Sequence, residues 1–235
     1  MKKPSELSVE VGAGAHTTAL VYPASQPGIG AALILGHGAG AGQQSSFMTD
    51  FAGALAALGA DIITFNFLYT EQKRRLPDRA PVLETCYRAV IEAVRDHVDT
   101  ARRALFVGGK SMGGRIATQV AAADVDLPLA GLVLLGYPLH PPGRPDKLRD
   151  AHLPAVGRST LFVQGSRDGF GTPDELKPIL ARMIPTPAIY EVGGGDHSFK
   201  LTGRDPTRQR AVYEDIQREI VRWMALIAPT RAGAG

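Results

Sequence analysis

The sequence predicts one α/β domain in which a mostly parallel, doubly wound sheet of about eight strands is flanked by helices. Short apolar runs alternate along the chain with longer segments whose apolar residues recur at helical spacing. No shift in composition and no internal repeat interrupts this alternation over 235 residues, a length that one domain can occupy. Strands that alternate with helices form parallel sheets with helices on both faces.

Eight segments have the pattern expected of strands. Residues 7–11 and 17–22 alternate enough to form a pair of edge strands joined by a turn at residues 12–14. The others are continuous apolar runs typical of buried parallel strands, at residues 31–35, 61–67, 104–107, 132–136, 160–165 and 188–192. We expect residues 1–6 and 229–235 to fray.

Helical spacing appears between these runs. Ser45 or Ser46 is expected to cap the first helix, and Pro81 suits the first turn of the second. A third helix is predicted over residues 113–123. The closing helix carries Trp223 on its apolar face, so we interpret Trp223 as a packing residue.

Composition argues against several classes of function. The formal net charge is +3, but the basic residues are dispersed and no zinc-finger spacing accompanies them, so no nucleic-acid partner is expected. No run of 18 apolar residues occurs and no signal-peptide core follows the charged N-terminus, which predicts a cytoplasmic location and no membrane partner. The single cysteine, Cys86, excludes an intrachain disulfide and is interpreted as buried.

One strand-turn-helix stretch carries a candidate nucleophile. Residues 109–113 are Gly-Lys-Ser-Met-Gly and follow an apolar strand directly. They match the G-x-S-x-G nucleophile elbow, a strained turn that lifts its serine above the edge of the sheet. At the start of the following helix, backbone N–H groups can stabilise a developing oxyanion. We therefore predict that Ser111 is a catalytic nucleophile.

Two other interpretations of this stretch are weaker. The pentapeptide occurs by chance in many chains, and only its strand and helix flanks favour catalysis here. The sequence Gly-Lys-Ser also ends a phosphate-binding loop, but that motif requires glycine where this chain has Ala104. Nucleotide binding is therefore the weaker hypothesis.

A second glycine-rich loop, at residues 36–42, follows the strand at 31–35. Its glycines do not fit the dinucleotide motif G-x-G-x-x-G. In hydrolases with a nucleophile elbow, a His-Gly-rich loop at this place supplies one amide of the oxyanion hole. We predict that the N–H group of Ala39, with Gly40 as the alternative, partners that of Met112. His37 is expected to shape the loop, and a plain flexible turn is the competing interpretation.

Three candidates for acyl-transfer chemistry occur in the order Ser111, Asp168, His197. Each lies just past the C-terminal end of a predicted strand, where open α/β sheets gather their ligands. A serine hydroxyl needs an imidazole to take its proton, and the imidazole needs a carboxylate to fix its tautomer and stabilise its charged form. The order and placement predict a catalytic triad.

Each of these residues also has a simpler interpretation. Asp168 would suit a turn in Arg-Asp-Gly, and His197 could be an ordinary loop histidine. Asp196 is a rival for the role of the acid. We prefer Asp168 because adjacent residues rarely present their side chains face to face.

The elbow, the His-Gly-Ala-Gly loop, Ser-Arg-Asp at residues 166–168 and Gly-Asp-His-Ser-Phe at residues 195–199 together resemble the α/β-hydrolase fold. The resemblance spans residues 30–225 and implies that Ser111, Asp168 and His197 form the triad, with no cofactor and no metal. A short, proline-rich segment at residues 137–154 leaves no room for a large cap domain, as in the dienelactone-hydrolase-like branch, which the chain resembles. Dienelactone hydrolases use cysteine where this chain has Ser111, so their substrate is not carried over.

Residues 135–143 and 74–79 more narrowly resemble a hydrolase group related to testis-expressed protein 30 and non-specific-lethal complex subunit 3. Two classes of function follow. The first is a serine hydrolase, an esterase that acts on a small or medium ester through an acyl-enzyme intermediate. The second is an interaction or scaffold module, which the resemblance to a chromatin-complex subunit keeps open. The intact triad favours the first.

Five residues are candidates for substrate binding. Arg74 and Arg75 follow the strand at residues 61–67, on the side of the sheet where the triad is predicted, and guanidinium groups suit carboxylates or phosphates. An exposed basic loop is the simpler interpretation. The other candidates are His37, Lys110 and Tyr69.

Overall fold

The sheet brings the predicted site residues to one edge. The computed structural model describes residues 3–12, 14–25, 27–203 and 205–229. Within these ranges the strands are β1 (Ser5–Glu10), β2 (His16–Tyr22), β3 (Ala32–Gly36), β4 (Asp61–Phe65), β5 (Leu105–Lys110), β6 (Gly131–Leu135), β7 (Thr160–Gly165) and β8 (Ala188–Val192). They form one sheet in the order β1-β2-β4-β3-β5-β6-β7-β8. Strands β3 to β8 run parallel, and β2 is antiparallel to both of its neighbours.

Helices lie on both faces of this sheet, as predicted. They are α1 (Ser46–Ala57), α2 (Leu68–Glu71), α3 (Ala80–His97), α4 (Asp99–Arg103), α5 (Met112–Ala123), α6 (Pro173–Leu180) and α7 (Pro206–Ile227). The apolar faces of α3 and α5 belong to one buried cluster, and those of α1 and α7 belong to a second cluster on the opposite face. The expected α/β-hydrolase architecture is therefore confirmed.

The β6–β7 connection, which includes residues 137–154, carries no cap. All of its residues are described, and its only regular element is a short 3-10 turn at Leu153–Ala155. The described residues therefore form no large cap domain over this edge of the sheet, in agreement with the prediction.

Several local expectations differ from the structure. Ser5 and Glu6 lie in β1, paired with Val21 and Leu20, because the hairpin supplies partners for their backbone. Ser45 precedes α1, but its side chain makes no capping hydrogen bond. Ala13, in the predicted turn, and the terminal residues 1–2 and 230–235 lie outside the described residues.

Three short helices were not predicted. The strand expected over residues 61–67 ends at Phe65, and α2 occupies part of the segment expected as loop. Elements of four or five residues, such as α2 and α4, are too short for helical periodicity to be visible. The sequence did contain a signal for α6, since Thr172 and Glu175 form a capping box.

The buried positions of Trp223 and Cys86 agree with their interpretation as packing residues. The Trp223 ring meets that of Phe106 edge-on, with 5.8 Å between centroids. Cys86 is fully buried, and its burial raises the pKa of the thiol to about 12. A thiol with that pKa stays protonated and unreactive at neutral pH.

Close packing between α5 and β3 provides a test of the fold at the elbow. A Cβ atom added to Gly113 would lie 2.1 Å from the backbone oxygen of Gly36. Helix propensity alone favours alanine over glycine by about 1 kcal/mol, but overpacking against backbone costs about 1 to 3 kcal/mol or more. We therefore expect Gly113→Ala to lower the free energy of unfolding in urea. Gly193→Ala is the control, since its added Cβ would meet nothing within 4 Å; equal stability of both variants would contradict this account.

Candidate active site

Ser111 occupies the turn between two regular elements. β5 ends at Lys110 and α5 begins at Met112, so Ser111 alone makes the reversal, with φ 51° and ψ −112°. A non-glycine residue in this region is strained and needs close support from its surroundings. Gly109 allows that support, because a Cβ there would lie 2.2 Å from the oxygen of Gly36. The elbow predicted from the sequence is therefore present as a backbone conformation.

The structure brings Ser111, His197 and Asp168 into one hydrogen-bonded chain. Ser111 Oγ lies 2.9 Å from His197 Nε2. On the other side of the ring, His197 Nδ1 lies 2.8 Å from Asp168 Oδ2 and 3.0 Å from Oδ1. The Asp168 side chain is fully buried, whereas that of His197 is 22% exposed. This arrangement lets the imidazole accept the hydroxyl proton while a buried carboxylate orients it.

The carboxylate of Asp168 is held by two further donors. Gln164 Nε2 donates to Oδ2 at 2.8 Å, and the N–H group of Phe170 donates to Oδ1 at 2.8 Å. Gln164 is itself fixed, since its Oε1 accepts from the N–H group of Tyr137. Sequence analysis missed Gln164; the signal was a single amide side chain in the otherwise apolar run of β7.

The rival carboxylate, Asp196, does something else. Its Oδ1 accepts hydrogen bonds from the N–H groups of Ser198 and Lys200, at 2.8 and 2.9 Å. These contacts close the turn that carries His197. Asp196 therefore shapes the loop that carries His197, and Asp168 is the carboxylate beside the imidazole ring of His197.

Phe170 is a second residue that sequence analysis missed. Its ring stacks on the imidazole of His197, with centroids 4.2 Å apart and an angle of 29° between the planes. It comes two residues after Asp168, so one short loop supplies both the carboxylate and the stacking ring. The two contacts restrict the orientation of the imidazole.

Lys110 connects the nucleophile elbow to the loop that carries His197. Its Nζ donates to the backbone oxygen of His197 at 2.5 Å and lies 5.8 and 5.9 Å from the ring centroids of Phe47 and Phe199. The side chain is buried, and this burial lowers the pKa of the ammonium group to about 8, against the opposing effect of Asp168 and Asp196. Near neutral pH the group therefore carries a charge that is costly to bury.

This cost predicts a pH-dependent stability. The pKa of Lys110 is lower in the folded chain than its ordinary value of 10.5, so the unfolded chain binds more protons between pH 8 and pH 10.5. Stability relative to a Lys110→Met variant should therefore rise by about 3 kcal/mol across that window. Urea unfolding of both proteins from pH 7 to pH 10.5 measures the difference. The exposed Lys147→Met variant is the control. If the stability difference between the unsubstituted protein and Lys110→Met did not change with pH, the lowered pKa of Lys110 would be refuted.

A cavity of about 550 Å³ is lined by Ser111 and His197. Ala39 and Met112, the predicted oxyanion pair, both line it, whereas Gly40 lines a neighbouring cavity instead. The 36–42 loop passes close to the nucleophile, since a Cβ at Gly38 would lie 3.7 Å from that of Ser111. Ala39 thus shares the cavity of Ser111 and Gly40 does not, while donation by either N–H group to an oxyanion stays a prediction.

His37 lies behind this loop and does not line the cavity that contains Ser111. Its Nε2 accepts from the N–H group of Phe67 at 3.1 Å, so Nδ1 carries the proton and donates to the oxygen of Gly38 at 2.8 Å. Burial lowers the pKa of the imidazole, which favours this neutral form. These contacts indicate that His37 supports the loop at residues 36–42. Direct substrate binding by His37 stays a prediction.

Tyr69, Arg74 and Arg75 line the neighbouring cavity, of about 740 Å³. Arg74 Nη1 lies 2.7 Å from Asp78 Oδ1 and is thereby paired. Of the five candidates for substrate binding, only Lys110 lines the cavity of the triad. A role of Tyr69, Arg74 and Arg75 in substrate binding stays a prediction.

The described residues also bear on metal binding and on membrane insertion. Within residues 3–12, 14–25, 27–203 and 205–229, no three His, Cys, Asp or Glu side chains come together as a metal site. In the same part of the chain, no helix has the length and apolar character needed to cross a bilayer.

Comparisons with known proteins agree with this architecture. A serine hydrolase without lid from Xanthomonas campestris is 20% identical, with a TM-score of 0.70 over 95% of this chain and 96% of that chain. A dienelactone hydrolase from Anabaena variabilis is 19% identical, with a TM-score of 0.73 over 97% and 100% of the two chains. An esterase from Pyrococcus furiosus is 12% identical, with a TM-score of 0.71 over 94% and 92%. The family model described as an alpha/beta hydrolase domain matches residues 30–225, and the chain therefore belongs to that family.

Proposed function

We propose that this protein is a serine hydrolase that cleaves carboxylic esters through an acyl-enzyme intermediate. The observation that carries the proposal is the unbroken chain of contacts from Ser111 Oγ through the His197 ring to Asp168, with distances of 2.9 and 2.8 Å. An alpha/beta hydrolase fold alone would not identify a reaction. The chemistry is argued from these three side chains.

In the first half of the reaction, Ser111 Oγ attacks the carbonyl carbon of the ester while His197 Nε2 takes the hydroxyl proton. The N–H groups of Met112 and Ala39 stabilise the negative charge that develops on the carbonyl oxygen. The C–O bond to the alcohol then breaks, and His197 returns the proton to the departing oxygen. The acyl group remains on Ser111.

In the second half, a water molecule takes the place of the alcohol. His197 removes a proton from the water, and the water oxygen attacks the acyl carbon. The bond between the acyl carbon and Ser111 Oγ then breaks as His197 passes the proton to Oγ. Asp168 accepts from Nδ1 throughout and stabilises the imidazolium form. The products are a carboxylic acid and an alcohol, and the free enzyme is restored.

The cavity favours small or medium esters. A volume of about 550 Å³ lies within the range of small-molecule sites. Apolar side chains, among them Phe47, Leu83 and Phe170, line it. Two structural neighbours, from Butyrivibrio proteoclasticus and Pyrococcus furiosus, carry the names Est1E and esterase. These names support an ester substrate for this chain.

A panel of 4-nitrophenyl esters with acyl chains of two to twelve carbons tests the proposal. We expect turnover above the Ser111→Ala background, with kcat/KM highest for short or medium chains. A folded protein that turns over no ester in the panel would contradict the esterase assignment and favour the scaffold alternative. The narrower relationship to testis-expressed protein 30 stays a prediction.

A further inference from the structure

Two guanidinium groups share the cavity of the triad. Arg115 lies on α5 one helical turn after Ser111, and its N–H group donates to the oxygen of Ser111 at 3.0 Å. Arg115 and Ser111 line the same cavity. Arg149 reaches the same cavity from the loop between β6 and β7. Both side chains are only partly exposed.

Neither group has an anionic partner in the part of the chain that the structure describes. Among the described residues, neither guanidinium forms an ion pair, and the one side-chain hydrogen bond is a long contact from Arg149 Nη1 to the oxygen of Pro138, at 3.4 Å. The other arginine, Arg115, makes no side-chain hydrogen bond to any described residue. The pKa of Arg149 is lowered, first by burial and then by the charge of Arg115. The two cations are therefore close enough to repel each other.

The two nearby carboxylates pair with other arginines. Asp150, next to Arg149 in the chain, lies with its Oδ2 2.6 Å from Arg182. Asp78 also lines the cavity; its Oδ1 is paired with Arg74 at 2.7 Å, and its buried Oδ2 makes no hydrogen bond to a described residue. The ammonium group of Lys110 is directed at the oxygen of His197. Arg115 and Arg149 are thus two cations of the cavity that form no ion pair with a described residue, while the carboxylate of Asp78 pairs with Arg74.

We propose that Arg115 and Arg149 bind a carboxylate on the substrate, so that the preferred esters are half-esters of dicarboxylic acids or esters of hydroxy acids. This proposal rests on the esterase function proposed above and names its substrate class. Planar guanidinium groups match a carboxylate with two parallel hydrogen bonds, and an anion between them removes their mutual repulsion. Apolar walls at Phe47 and Leu83 accommodate the carbon chain between the carboxylate and the scissile bond.

Matched esters measure this preference. One series carries the charge on the acyl chain: 4-nitrophenyl hydrogen adipate, its methyl ester and 4-nitrophenyl 6-aminohexanoate. The other carries it on the alcohol: O-acetyl-6-hydroxyhexanoate and its methyl ester. In at least one series the carboxylate should lower KM about tenfold relative to the neutral ester. The ammonium ester should bind worse than the neutral one.

Salt and substitution identify the source of the preference. Screening should weaken it between low and physiological ionic strength, where the Debye length is about 8 Å. In the double variant Arg115→Gln, Arg149→Gln the ratio of KM for the neutral ester to KM for the carboxylate ester should fall to about one. The double variant Arg115→Lys, Arg149→Lys should retain part of the preference. Arg144→Gln, an exposed arginine of the same loop outside this cavity, is the matched control and should keep the full ratio.

Binding without turnover separates this proposal from the proposed function. Calorimetric titration of adipate into the Ser111→Ala variant should show binding that disappears when Arg115 and Arg149 are also replaced by glutamine. No adipate binding, or no carboxylate preference in either ester series, would overturn the proposal even if neutral esters are turned over. A preference abolished by Arg74→Gln, Arg75→Gln but kept in the Arg115, Arg149 variant would also overturn it. Binding of adipate with no ester turnover would uphold the anion site and contradict the esterase function.

Discussion

Replacing Ser111 with alanine is expected to lower kcat for an aryl ester by about 10⁴ to 10⁶. The variant lacks the oxygen that His197 Nε2 meets at 2.9 Å, so no acyl-enzyme can form. Residual catalysis would come from the oxyanion donors and from binding. Steady-state kinetics on a short-chain 4-nitrophenyl ester measures the loss.

Two controls accompany this measurement. Ser8→Ala changes an exposed serine on the edge strand β1 and should leave kcat unchanged. Circular dichroism should show that Ser111→Ala keeps the folded state, since alanine occupies the same strained turn. Undiminished turnover in folded Ser111→Ala would show that another group is the nucleophile.

Asp168→Asn is expected to lower kcat by about 10⁴. The carboxylate accepts from Gln164, from the N–H group of Phe170 and from His197 Nδ1. The single amide oxygen of asparagine replaces only one of the two carboxylate oxygens, and His197 Nδ1 lies near both of them, so the NH₂ group is brought close to the imidazole. Facing His197, it would force Nδ1 to accept, so that Nε2 carries the proton and cannot take that of Ser111.

Asp196→Asn provides the matched comparison. The Oδ1 of Asp196 accepts from two backbone N–H groups, and the amide oxygen of asparagine can still do so. We expect a loss in kcat smaller than about tenfold, since net hydrogen-bond contributions are about 1 kcal/mol. If Asp196→Asn were the more damaging change, the role of the acid would pass to Asp196.

The sheet and the proximity of Ser111, Asp168 and His197 were predictable because their signals are local. β7 and β8 begin and end at the predicted residues, since each is an apolar run that ends near glycine. Ser111, Asp168 and His197 each follow such a run, and parallel strands bring their carboxyl ends to one edge. Their proximity therefore follows from order and strand direction.

Contacts that depend on tertiary structure were not predictable in this way. Gln164 meets the backbone of Tyr137, 27 residues earlier, and no sequence spacing encodes that contact. The sequence also did not predict which arginines line the cavity of Ser111. Arg74 lies beside the cavity of Ser111 but is paired with Asp78, whereas Arg149, which was not a candidate for substrate binding, lines the cavity itself.

The most direct test of the central claim, that Ser111 is the covalent nucleophile, is labelling with a fluorophosphonate. Attack by Oγ forms a bond to phosphorus and releases fluoride, so intact-protein mass spectrometry should show one added phosphonyl group. Peptide mapping should place it on Ser111, and Ser111→Ala should stay unlabelled. A label on any other residue, or an unlabelled protein that still turns over esters, would contradict the account.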